Sequence, residues 1–307
     1  MLSYLLDERD LRIIYLFANN SRMSFRSVAA DIGLTSKSAK ARIDKMLSKN
    51  IIKSFHMVVN PVALGYTKVC ILRGRGGKNI DEIDIQKKIT KLGNLMIHVR
   101  HLGRGFEYGF SITDQFDDGI KSLMDLLGSK TTYRIFQIKP LVNYTLTESD
   151  LKIIKCLLIN PRMDISHIAG QISISGKTVA RRLNKMIQNQ VIRFSVLCNS
   201  ASTFGYLQFV LTVHVQESLY HFIYEYICTE FRLNIFYAPR SFANPPDELR
   251  FYLFSENLST IESLLIKVES IKGVQFAELF VVIDVEHYTD WVNKGIDERL
   301  LDKNVNI

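Results

Sequence analysis

The residues best suited to do chemistry are basic side chains at helical spacing. Lys37, Ser38, Ala41 and Lys45 fall on one side of a segment opening at Ser36, with Lys40, Arg42 and Lys49 beside them. Lys177, Thr178, Arg181 and Lys185, flanked by Arg182, repeat the pattern 140 positions later. Lysine and arginine so placed neutralise phosphates and release counterions, and arginine can also grip guanine O6 and N7 together. Alanine offers only an apolar contact, for example to a thymine methyl. The chemistry on offer is recognition of duplex DNA. A lone basic amphipathic helix reads equally as a solvated face, so the surrounding elements decide.

Those elements occur twice. Leu6–Tyr66 lies over Leu146–Tyr206 without a gap, with 18 of 61 pairs identical. Asp7 and Thr147 are N-cap types followed three residues on by Asp10 and Asp150, a variant capping box that opens a first helix. Leu11, Ile14 and Phe17 form its apolar stripe, as do Leu151, Ile154 and Leu158 in the second copy. A short helix over 24–32 or 164–172 precedes a tight turn, Gly33-Leu34-Thr35 or Ser173-Ile174-Ser175. The third helices, Ser36–Lys49 and Gly176–Asn189, then face the core with Ala39, Ile43, Met46 and Leu47, or Val179, Leu183, Met186 and Ile187. The β-rich runs Ile51–Asn60 and Val191–Cys198 supply wings whose Lys53 and Arg193 reach backbone phosphate. Each copy is thus a winged helix-turn-helix with its third helix entering the major groove. The heads differ: Ala41 is matched by Arg181, and Lys40 by Ala180. An imperfect palindrome is the expected site, with half-sites about one helical turn apart.

Charge follows the repeat. Residues 1–66 hold 10 Lys/Arg against 5 Asp/Glu, and residues 146–206 hold 8 against 3. Each segment sums to +5, so the rest of the chain carries −2 of the total +8. A chain of 307 residues exceeds one compact core. Cys70, Cys156, Cys198 and Cys228 are scattered, which argues for a reducing compartment and against a zinc ribbon. No targeting segment or membrane span is read, so a cytoplasmic protein is expected.

Between and after the heads the expected order is βαββαβ, a ferredoxin-like sandwich, in both 67–144 and 207–285. The fold class is α+β: two winged helix-turn-helix domains (1–66 and 145–206) alternating with two βαββαβ domains (67–144 and 207–285), then a tail (286–307). The tail, with WVNKGIDERLLDK, reads as a helix docking on the last domain or cementing an assembly.

The chain resembles the Lrp/AsnC (feast/famine) family of transcriptional regulators. The resemblance rests on Leu34-Thr35…Ala39…Arg42-Ile43, on Ile174-Ser175…Val179…Arg182-Leu183, and on Gly65-Tyr66 and Gly205-Tyr206. It covers about 6–284 in tandem, whereas members usually carry one copy and dimerise. It implies double-stranded DNA as partner, paired effector-type domains within one chain, assembly into homo-oligomers, and a small-molecule effector such as an amino acid. The family's glycine-containing loop falls on Gly103-Arg104-Gly105-Phe106-Glu107, so Gly103, Gly105 and Glu107 are the ligand candidates, with Glu in place of the usual Asp. Read without the resemblance, the same run is a surface hairpin. The second copy, Ser241 to Asp247, has no glycine there.

No cofactor or metal is expected. His98 and His101, beside Glu107 and Tyr108, are three apart on a strand and so point to opposite faces. Two other readings stand beside the regulator. Sirohaem decarboxylases share the fold family and occur as fused pairs, but their aromatic runs are missing and Trp291 is the single tryptophan. An architectural DNA-wrapping protein is the other.

Overall fold

The computed structural model describes residues 5–76, 81–113, 116–141, 144–199, 205–232, 234–237 and 247–305. Elements are numbered in chain order. The first head holds α1 (Glu8–Asn20), α2 (Phe25–Asp31), α3 (Ser36–Ser48) and β1 (Ile52–Val59). Then come β2 (Lys68–Arg75), α4 (Glu82–Leu92), β3 (Leu95–His101), β4 (Gly105–Ser111), α5 (Phe116–Leu127) and β5 (Thr132–Gln137). The second head holds α6 (Glu148–Ile159), α7 (Ile165–Ile172), α8 (Gly176–Gln188) and β6 (Ile192–Cys198). The chain continues through β7 (Leu207–Val215), α9 (Tyr220–Glu230), β8 (Ile235–Tyr237), β9 (Glu248–Ser255), α10 (Leu258–Glu269), β10 (Val274–His287) and α11 (Asp290–Val305).

Both expected βαββαβ runs are present, and the strand order within each is the same. It is β5-β2-β4-β3 in the first copy and β10-β7-β9-β8 in the second: fourth, first, third, second. Differences from the sequence reading are small. β10 runs on to His287, past the expected domain end at 285. Helices α3 and α8 each stop one residue early, at Lys49 and Asn189 as caps, because Asn50 and Gln190 follow with φ of 55° and 54°. A left-handed residue at that point ends the helix and turns the chain into the next strand.

The chain divides into two compact units, each combining a head with the other copy's βαββαβ domain. One comprises Met1–Ser54, Val99–Gly105 and Val196–Val285. Its core is Phe209, Leu211 and Val213 of β7 with Phe251 and Leu253 of β9, closed by Ile223, Ile227, Ile261 and Leu264 from the helices. Tyr15 of α1 packs against that core, which seats the first head.

The other unit comprises Phe55–His98, Phe106–Ser195 and Glu286–Ile307. Cys70 and Leu72 of β2 and Phe106, Tyr108 and Phe110 of β4 pack with Ile85, Ile89, Ile120 and Leu123. The second head has a core of Leu151, Ile154, Ile168, Val179, Leu183 and Met186. Met57, Val59 and Leu64 join it, and so do Trp291, Val292 and Ile296 of α11. The tail is therefore a helix docked on the second head. Trp291 Nε1 donates to the Tyr288 carbonyl at 2.9 Å, so its polar atom is satisfied while its rings are buried.

Candidate nucleic-acid interface

The geometry of each head begins at its first helix. In α1 the Asp7 side chain accepts from the Asp10 N–H at 2.9 Å and the Asp10 carboxylate accepts from the Asp7 N–H at 3.2 Å, completing the expected capping box. In α6 the Thr147 N–H donates to Asp150 at 2.9 Å and the Asp150 N–H donates to the Thr147 hydroxyl at 3.3 Å. Both acids are buried, Asp10 at 1% exposure and Asp150 at 0%. An ionised carboxylate at such a depth needs a cation. The third helix supplies it: Arg42 reaches Asp10 and Asp7 at 2.8 Å each, and Arg182 reaches Asp150 at 3.2 Å and the Thr147 hydroxyl at 2.6 Å.

Arg42 and Arg182 thus point back into their own heads and are half-buried. Burial raises the Asp7 pKa, but the Asp10 N–H and the Arg42 guanidinium outweigh it and hold the carboxyl below its usual range. The Arg42 guanidinium, bonded to Asp10 first and Asp7 after, is held above its own range. Each guanidinium, expected on DNA, is bonded to a buried acid of its own head.

The outer faces of α3 and α8 carry the remaining candidates. Ser36, Lys37, Ser38, Lys40, Ala41 and Lys45 are exposed on α3, and Lys177, Arg181 and Lys185 on α8, with Thr178 half-buried. Ala39, Ile43 and Met46, and Val179, Leu183 and Met186, are buried on the opposite side. Leu47 and Ile187, expected on the inner stripe, lie at its rim and are 37% and 40% exposed. Thr35 and Ser175 cap the helices, accepting from the Ser38 and Thr178 N–H groups at 3.2 and 3.1 Å. The positive end of each helix dipole lies at this edge of the face. Lys40 is partnered by Asp44 one turn on, at 2.6 Å, and Lys185 lies 5.5 Å from the Tyr144 ring centroid.

The strands that follow the third helices, β1 and β6, pair with each other as a two-stranded sheet. Lys53 on β1 is 3.6 Å from Asp284, which also accepts from Arg100 at 2.5 Å. Arg193 on β6 is half-buried and stands close enough to the neighbouring, mutually tilted His56 and His287 rings to disfavour their protonated forms. Those rings are 4.6 Å apart, and burial first, then the Arg193 charge, takes His287 down to about 4. Both basic wing residues expected on phosphate therefore have intramolecular neighbours.

The candidate ligand loop is a tight hairpin. Gly103 and Arg104 have φ of 74° and 65°, and a side chain at Gly105 would begin 2.9 Å from His101 Cβ. Glu107 is beyond the turn, on β4, buried and bound by Arg73 Nε at 2.7 Å. Its charge is matched within the domain by Arg73. Ser241 to Pro246 lie outside the described residues. His98 stacks on Tyr108 at 4.1 Å and His101 packs on Phe280 at 5.2 Å. Among the described residues no cluster of His, Cys, Asp or Glu converges as a metal site, and no helix is long and apolar enough to cross a membrane.

A family described as winged helix-turn-helix DNA-binding matches twice, at residues 6–53 and 146–193. The HTH-type transcriptional regulator Ptr1 of Methanocaldococcus jannaschii is 32% identical over 91 residues, 30% of this chain and 59% of that protein. The regulator FL11 of Pyrococcus abyssi is 25% identical over 126 residues, 40% of this chain and 81% of that one. LrpA of Pyrococcus horikoshii is 30% identical over 67 residues, 22% of this chain and 48% of the regulator. The chain thus spans less than two thirds of the length of Ptr1. In fold, it is like the crystal structure of the siroheme decarboxylase NirDL, with a TM-score of 0.50, 12% identity, and coverage of 95% of this chain and 99% of that one. The winged helix-turn-helix DNA-binding unit is thus matched twice in this chain, and a βαββαβ run follows each head.

Proposed function

We propose that the chain is a sequence-specific regulator of transcription that binds double-stranded DNA as a single-chain pseudo-dimer, α3 and α8 each entering a major groove. The observation that carries the reading is the pair of exposed cationic faces, built on the same helix-turn-helix frame 140 residues apart. Ser36, Lys37, Ser38, Lys40 and Lys45 of α3 and Lys177, Thr178 and Lys185 of α8 serve phosphate and polar base contacts, while Ala41 and Arg181 sit where base edges are read. Arg42 and Arg182 hold the helices in place instead. Lys53 and Arg193 keep their intramolecular neighbours and make at most a secondary phosphate contact.

The site is an imperfect palindrome, because Arg181 reads what Ala41 leaves unread. Assembly into higher oligomers and a cytoplasmic location belong to the same proposal. So does modulation by a small molecule such as an amino acid, held by the backbone at Gly103 and Gly105. In vitro selection from a random duplex library, followed by binding titrations of the selected sequence and a scrambled one, tests the reading. A high ratio of specific to non-specific affinity supports it, and equal affinities would leave an architectural DNA-wrapping role.

A second reading is favoured by the full-length fold likeness to NirDL, a siroheme decarboxylase. Titration with an iron tetrapyrrole, followed by visible absorption, separates the two. The regulator reading expects no saturable spectral change, and a stoichiometric one would support the enzyme.

A further inference from the structure

The two heads do not anchor their recognition helices in the same way. Arg42 lies between two carboxylates, Asp7 and Asp10, each at 2.8 Å. In the second head Thr147 replaces Asp7, so the Arg182 guanidinium has one carboxylate, Asp150, at the longer distance of 3.2 Å. The Thr147 hydroxyl bridges them, accepting from Arg182 at 2.6 Å and donating to Asp150 at 2.8 Å. A third side chain joins this cluster. Tyr144, in the segment between β5 and α6, is hydrogen-bonded to Asp150 through its hydroxyl. Burial first, and then the Asp150 charge, keeps that phenol protonated, so it donates to the acid.

The same ring packs against the core of the second head and lies under the Lys185 ammonium, 5.5 Å from the centroid. One side chain therefore meets both the acid that anchors α8 and a lysine on the outer face of α8. All of these residues belong to one compact unit. The position 140 residues earlier is Tyr4, outside the described residues.

We propose that Tyr144 is a positioning residue for DNA recognition by the second head: through Asp150 and beneath Lys185 it sets the pose of α8. The inference rests on the DNA-binding reading above. A hydroxyl that only stabilised the fold would lower affinity for every duplex alike. A positioning hydroxyl lowers affinity only where α8 is engaged.

The test uses the full chain and a duplex selected from a random library with the wild type. The half-site of the second head is the one whose base preference Arg181→Ala relaxes. Tyr144→Phe, which keeps the ring and its packing, is then titrated against the intact duplex and against duplexes with either half-site scrambled. The expected result is a loss of roughly three- to tenfold wherever the second head's half-site is present, and no loss where only the first head's half-site remains. Tyr144→Phe and Asp150→Asn together should lose less than the product of their separate losses, since both break one chain of contacts. Equal loss on all duplexes, no loss on any, or independent effects of the two substitutions would overturn the inference while leaving the DNA-binding reading intact. If the wild type selects no duplex, both fall.

Discussion

Arg181 and Ala41 occupy equivalent places on α8 and α3, and the difference between them predicts the asymmetry of the site. A bidentate arginine–guanine contact discriminates against the wrong base by about 1–3 kcal/mol. Arg181→Ala should therefore relax preference at one or two positions of one half-site and leave the other half-site unchanged, as read by repeating the selection with the variant. A uniform loss across sequences would assign Arg181 to phosphate instead. The paired histidines give a second expectation at this level. His287 is held down at about 4 and His56 is lowered well below its usual value, burial being the main cause in each. Both are neutral in the fold, while the unfolded chain protonates them near 6.5. Their contribution to stability is thus full above about pH 6.5 and is lost as pH falls toward 4, by up to about 3 kcal/mol for His287. Denaturation midpoints across that window should fall more steeply for the wild type than for His287→Phe. Parallel curves would remove the histidine pair from the acid response.

Among the elements, α11 carries the clearest mechanical role. Trp291, Val292 and Ile296 bury themselves in the core of the second head, and Gly295 lies against Leu64 and Tyr66, where any side chain would begin 3.2 Å from Leu64 Cβ. Lys155 of α6 pairs with Asp297 of α11 as well. Trp291→Ala should lower unfolding free energy by about 3–5 kcal/mol, the usual cost of deleting a buried tryptophan. Chemical denaturation measures this, and a change below 1 kcal/mol (roughly a surface substitution) would mean that α11 is not a structural brace. The sequence could not place this helix, because its docking surface is assembled from residues near 60 and near 155 and no local pattern encodes that meeting. The local signals did better. The capping boxes at Asp7 and Thr147, the buried stripes of α3 and α8, and the βαββαβ orders were readable because each rests on spacing within a few turns or one strand. The roles of Arg42, Arg182, Lys53 and Glu107 were not, because a charged side chain looks the same in sequence whether a phosphate or a buried partner answers it. The constant separation of 32 residues between Asp10 and Arg42, and between Asp150 and Arg182, was the signal available for that pairing.

For the molecule as a whole, the proposed pseudo-dimer differs from a homodimer in one respect. A homodimer must present two identical heads, whereas a fused pair can let its heads diverge, as Arg181 against Ala41 and Thr147 against Asp7 show. The charge distribution fits that division: +5 on each head and −2 elsewhere concentrate the attraction for phosphate on the reading surfaces. Everything therefore turns on whether the outer faces of α3 and α8 meet DNA. The most direct measurement is the salt dependence of affinity for a selected duplex, comparing the wild type with a variant carrying Lys37→Ala, Lys45→Ala, Lys177→Ala and Lys185→Ala. A steep decline of log K with log salt is expected for the wild type, with a slope shallower by roughly one unit for each lysine removed. Identical slopes for the two proteins, or a wild type that binds no duplex at moderate ionic strength, would contradict it.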